Sequence, residues 1–92
     1  MKQYTWEIPE TVINEETEAE ETVVHQVSLR CALLLGKAYI TIDGTEFNIS
    51  TRPFGLRGTS QVFRLGESAA MVDFPKKGAP NLVIDGTCVR IA

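Results

Sequence analysis

Ala38-Tyr39-Ile40-Thr41-Ile42-Asp43-Gly44-Thr45-Glu46-Phe47-Asn48-Ile49 decides the fold class of this 92-residue chain. Apolar side chains fall on alternate positions at Ala38, Ile40 and Ile42, with Tyr39 and Thr41 between them, and apolar residues return after the turn at Phe47 and Ile49. A period of two puts one set of side chains on one face of a strand. Asp43-Gly44 between the two runs is a strong hairpin signal, because a tight two-residue turn needs positive φ and glycine adopts it without steric cost. The tetrapeptide Ile42-Asp43-Gly44-Thr45 recurs as Ile84-Asp85-Gly86-Thr87, between Leu82 and the pair Val89 and Ile91. Residues 45–83 do not repeat elsewhere, so the two copies read as matching hairpin corners with Asp43, Gly44, Asp85 and Gly86 as structural turn residues. They do not by themselves establish a duplicated unit.

Outward from this hairpin the same period continues. From Val23 to Cys31 the odd positions are Val23, His25, Val27, Leu29 and Cys31, alternating from Gln26 onward with Gln26, Ser28 and Arg30, a half-buried strand with its odd face inward that Leu35-Gly36-Lys37 turns into the next. Tyr4, Trp6 and Ile8 predict a short first strand that Pro9 closes. Residues 50–60 hold Pro53, Gly55 and Gly58, lose the period and form a long connection. Alternation returns with Phe63 and Leu65, then with Ala70, Val72 and Phe74, and Pro75 to Pro80 make a further turn region before the last hairpin. No segment sustains a helical period. Seven to eight short strands linked by hairpins predict an all-β protein, an antiparallel β-sandwich, and the length fits a single domain over residues 1–92.

Composition narrows the function classes. Hydrophobic residues make up 43 % of the chain and the mean hydropathy is −0.02, values of a globular protein rather than a disordered one. The longest apolar run, Cys31 to Leu35, is far below the roughly 18 residues of a membrane span. No secretory leader is evident, and Cys31 and Cys88 lack zinc-binding spacing, so two free thiols and a cytoplasmic location are expected. The net charge of −3 is unevenly spread: residues 7–21 carry seven acidic side chains and no basic one, whereas residues 22–92 carry eight Lys or Arg against five Asp or Glu. Like charges repel, so an acidic loop at about 9–22 is expected on the surface; a sharper alternative has it folding back over basic residues of the body.

The residues also form a recognisable series: Trp6, then His25-x-Val27-x-Leu29, then Gly36-Lys37-x-x-Ile40-x-Ile42-Asp43-Gly44, then Phe63-x-Leu65-Gly66, and Leu82-x-Ile84-Asp85-Gly86. In this order they resemble one domain of the Fas apoptotic inhibitory molecule family and its small bacterial relatives. The resemblance implies a non-catalytic antiparallel β-sandwich. The animal members carry two such domains and act through protein partners in cell-survival signalling; this chain has room for one. The acidic stretch between Trp6 and His25 is longer than the family pattern requires, and the loop from Arg52 to Gly58 is its own.

Candidates for chemistry are few. His25 is the only histidine, six residues along the strand from Cys31, and six strand residues span about 20 Å, so the two cannot chelate one ion. It reads as a satisfied core or rim histidine. No Gly-x-Ser-x-Gly occurs, and Gly55-Leu56-Arg57-Gly58 lacks the Lys-Ser/Thr of a phosphate-cradling loop. No catalytic residue, metal ligand or cofactor is therefore expected, and an enzyme is the least supported class. Arg52, Arg57 and Arg64, with Phe54 and Phe63, are candidates for an anion-binding patch, since guanidinium forks match carboxylate and phosphate. A sequence pI near 5.0 argues against nucleic acid as the ligand. Leu33, Leu34 and Leu35 are candidates for a partner surface, because alternation sends part of an apolar run outward at a strand end; burial under the N-terminal segment or a facing loop is the competing reading. The resulting expectation is a non-enzymatic interaction module for a protein partner or for self-association, with a small anionic ligand at the Arg52–Arg64 loop as the alternative.

Overall fold

The structure, a computed structural model, describes residues 1–91. It contains eight strands: β1 (Lys2–Ile13), β2 (Glu20–Ala32), β3 (Lys37–Ile42), β4 (Thr45–Asn48), β5 (Thr59–Leu65), β6 (Ser68–Phe74), β7 (Asn81–Ile84) and β8 (Thr87–Val89). They form two four-stranded antiparallel meanders, β1-β2-β3-β4 and β5-β6-β7-β8, packed face to face as a sandwich. The only helical element among the described residues is one 3-10 turn, Leu33–Leu35, between β2 and β3.

The expected period is the burial pattern. Val27, Leu29 and Cys31 on β2, Ala38 and Ile40 on β3, Ala70, Val72 and Phe74 on β6 and Leu82 on β7 are buried, with Trp6 and Ile8 from β1. Each fully buried Leu, Val or Phe side chain contributes roughly 1.5–3 kcal/mol of transfer free energy. Leu56 joins this core from the connection between β4 and β5, although it lies outside any strand. Phe47, on the short edge strand β4, is 49 % exposed.

The repeated tetrapeptide occupies equivalent places in the two sheets, the turn between the third and fourth strand of each. Asp43 and Asp85 have φ of 47° and 46°, followed by Gly44 and Gly86 at 88° and 84°, so both central residues of each turn are left-handed, as a type I′ hairpin requires. Each Asp also clamps the neighbouring strand. Asp43 N–H donates to the Gln26 carbonyl at 2.9 Å while its Oδ1 accepts the Gln26 N–H at 2.8 Å. Asp85 repeats this on Ala69, with distances of 3.0 and 3.2 Å.

One sequence expectation is corrected. Pro9 does not close the first strand, and residues 9–22 are not a loop: Pro9 to Ile13 and Glu20 to Thr22 are paired strand, from Pro9↔Val24 to Ile13↔Glu20, and only residues 14–19 turn. β1 is an edge strand, where a residue without an N–H is tolerated. Glutamates that repel one another remain solvated along the two faces of a ribbon, so their charge does not prevent pairing. The ribbon projects from the body, and the molecule measures 51 × 23 × 20 Å.

Candidate functional site

An antiparallel meander gathers its connections at two ends, and the side chains that could act lie at these two poles. At the first pole the end of β2, the turn to β3 and the loop from β4 to β5 are tied together. Thr51 N–H donates to the Gly36 carbonyl at 2.7 Å and Phe54 N–H to the Leu34 carbonyl at 3.2 Å. Gly58 N–H donates to the Phe74 carbonyl at 2.6 Å, which draws in the end of β6. Gly36 makes this closure feasible: its φ is +71°, and a Cβ there would collide with the Arg52 carbonyl.

On this framework Leu33 packs against the core, while Leu34 and Leu35 are 71 % and 59 % exposed. The N-terminal segment does not bury them. They border a groove of about 840 Å³, whose wall includes Tyr4, Cys31, Ala32 and Ala79, with Lys2 and Arg57 as its charged residues and no carboxylate. Phe54, on the loop bonded to Leu34, is 72 % exposed and has φ of +61°. A bulky residue held left-handed is a true backbone outlier, and such strain concentrates where a surface is used. Burial pushes the Cys31 thiol up, and Arg57 and Lys2 partly offset it. Cys31 and Cys88 are both free, the first buried and the second exposed on the other sheet.

The three arginines do not share a site. Arg57 lies at the groove, where its Nη1 donates to the carbonyls of Pro75 at 3.1 Å and Gly78 at 2.6 Å, bracing the turn between β6 and β7. Arg64 borders a separate concavity of about 580 Å³ between the β4 and β5 edges, with Phe47, Val62 and Phe63. Arg52 is exposed, and its carbonyl accepts from Gly55 N–H.

At the second pole the structure reveals a cluster that strand periodicity could not predict. His25 Nδ1 lies 2.7 Å from Asp43 Oδ2, and its Nε2 lies 3.8 Å from Glu10 Oε1. The two acidic partners come from β1 and from the β3–β4 turn. They bracket the ring at opposite nitrogens rather than converging on one point, and among the described residues no three such side chains are placed to hold a metal ion. The hydrogen bond to Asp43 raises the His25 pKa above the usual histidine range, with burial opposing, and holds Asp43 below the usual carboxylate range. Glu10 also reaches the other sheet, where Glu67 N–H donates to its Oε2 at 3.4 Å. The cluster is a clasp within the first sheet, and Glu10 alone extends it to the second.

Sequence reasoning singled out Leu33 to Leu35, of which Leu34 and Leu35 are exposed, but did not join Phe54 to them. Phe54 was the available signal, an apolar residue in a Pro- and Gly-rich loop with no strand period to bury it. Among comparisons with known proteins, no family model, no curated protein and no solved structure matches the chain.

Proposed function

We propose that this protein is a non-enzymatic β-sandwich interaction module whose groove beside Leu33–Leu35 receives a segment of a protein partner or of a second copy. The observation that carries the reading is the pair Leu34 and Leu35, 71 % and 59 % exposed beside an apolar groove that holds two cations and no carboxylate. Exposed contiguous apolar surface rimmed by charge is the ordinary signature of a docking site. The kinship with Fas apoptotic inhibitory molecules belongs to the same proposal and rests on the quoted turn and core residues. Two free thiols favour a reducing, cytoplasmic setting. The anionic-ligand reading has less support, because Arg57 is committed to two carbonyls and Arg64 lies elsewhere.

Affinity capture followed by mass spectrometry, run in parallel with wild type and a Leu34→Ser/Leu35→Ser variant, tests the reading. A protein retained by the wild type, this chain included, should be depleted at least about tenfold with the variant, as expected when anchors are truncated. Equal recovery of every retained protein by both would remove the groove from consideration.

A further inference from the structure

The two poles carry opposite charge. Lys2, Lys37, Arg52, Arg57, Lys76 and Lys77, six of the nine basic residues, lie exposed around the groove, on the strand ends, turns and loop gathered at that pole. The opposite pole holds the turn residues Asp43, Glu67 and Asp85 and the projecting ribbon, whose residues 10–21 contain six glutamates and no base.

The ribbon is also incompletely covered. Its inner face continues that of Trp6 and Ile8 through Glu10 and Val12, with Val23 opposite Glu10, and the β5–β6 turn of the second sheet meets it at Glu10 through Gly66 and Glu67. On that inner face Val23 is 42 % exposed, and on the outer face Ile13 and Val24 are 67 % and 57 % exposed. A two-stranded hairpin with no sheet against it is marginally stable alone, so apolar residues on such a ribbon need a cover. Here that cover must combine apolar surface with positive charge, which is what the groove pole of the same molecule presents. The ribbon cannot reach its own groove: β1 starts at the groove with Lys2 and ends in the ribbon with Ile13, and twelve strand residues span about 36 Å.

We infer that the acidic ribbon of one copy seats on the cationic groove of the next, so that the protein associates head to tail. This rests on the reading of the groove as a protein-binding surface and names its occupant. The contact joins two different patches, so it is heterologous and generates rings or open chains instead of a closed symmetric dimer. Ribbon glutamates meet Lys and Arg while Ile13 and Val24, which share the outer face of the ribbon with Glu20, meet Leu34, Leu35 and Phe54. Much of the attraction is between exposed charges and is screened by salt.

Sedimentation velocity over a concentration series, in about 0.02 M and about 0.5 M salt, tests the inference, since the Debye length falls from roughly 20 Å to roughly 4 Å between them. Two variants are compared with the wild type: a ribbon variant, Glu20→Lys/Glu21→Lys/Val24→Lys, and a groove variant, Leu34→Ser/Leu35→Ser, each first shown by circular dichroism to be folded. Expected are concentration-dependent assembly of the wild type beyond a dimer, weakened at least about tenfold at the higher salt, and loss of self-association by each variant alone. An equimolar mixture of the two should form a dimer and nothing larger, because together they retain one intact ribbon and one intact groove. A wild type that stays monomeric in low salt overturns the inference, as does a mixture that fails to pair. If the groove variant alone abolishes association, the groove reading stands and the ribbon is the wrong occupant. If the ribbon variant alone does so, the groove reading falls with the inference.

Discussion

Gly36 and Gly44 both have positive φ, at 71° and 88°, yet they are under different constraints. A Cβ on Gly44 would meet nothing within 4 Å, whereas one on Gly36 would run into the Arg52 carbonyl, a backbone group that cannot turn aside. Gly44→Ala should therefore cost only the left-handed penalty of about 1–2 kcal/mol. Gly36→Ala adds displacement of the loop that carries Phe54 and should cost roughly 2–5 kcal/mol. Urea unfolding of both variants checks this, and equal losses would mean that the loop moves away freely. The same residue shapes the groove, so a Gly36→Ala chain that folds should also expose Leu34 and Leu35 differently. His25 makes a related point about burial. Its Nε2 is buried without a hydrogen-bond partner, 3.8 Å from Glu10, a position that suits an imidazolium facing a carboxylate better than a neutral ring.

At the scale of elements, the two Ile-Asp-Gly-Thr turns are a natural control for each other. Both Asp side chains clamp a neighbouring strand, but only Asp43 also holds a histidine. His25 has its pKa raised in the folded protein, so its contribution is fully present below the unfolded value of about 6.5 and is lost as pH rises through the folded one. Asp43 has its pKa lowered, so its contribution is present above about 3.9 and is lost as pH falls through the folded value. The clasp thus stabilises most between about pH 4 and pH 6.5. Asp43→Asn should widen its stability deficit from the wild type in that window and narrow it toward pH 8, whereas Asp85→Asn should stay within about 0.5 kcal/mol throughout. Guanidinium unfolding at several pH values reads the difference, and parallel pH profiles for the two variants would show that the histidine pair is idle. These turns were legible in the sequence because their requirement is local, two left-handed residues flanked by alternation. The ribbon was not: the second strand's period is readable from Val23 onward, but Val12 and Ile13 are too few to announce a strand among seven acidic residues, and it is the register continued from Trp6↔Val27 that pairs them. That part of Leu33 to Leu35 would face outward was legible, and Leu34 and Leu35 do, but their 3-10 turn and the Phe54 loop depend on contacts between distant segments. The His25 clasp likewise joins β1, β2 and the β3–β4 turn, a meeting that only the fold creates.

For the whole molecule the decisive question is whether two separate four-stranded meanders behave as one folding unit. Hydrogen bonds run within each sheet, so what unites the sheets is their shared core, the Glu10–Glu67 contact and the connection that buries Leu56. Trp6, the single tryptophan, is fully buried in the first sheet and therefore reports on that sheet. Leu82 is fully buried in the second. Leu82→Ala should remove about 2–5 kcal/mol, a large share of the roughly 5–15 kcal/mol a domain has. If the core is common, that loss must appear undiminished in Trp6 fluorescence, with the fluorescence and circular dichroism transitions coincident in denaturant. A Trp6 transition left in place while half of the circular dichroism signal melts early would mean that the sheets fold separately. The groove and the ribbon both hang from the first sheet, at opposite ends of β1 and β2. A coincident transition would therefore also mean that the second sheet, which supplies Lys76, Lys77 and the Arg57-braced turn, holds the two charged poles in one rigid relation.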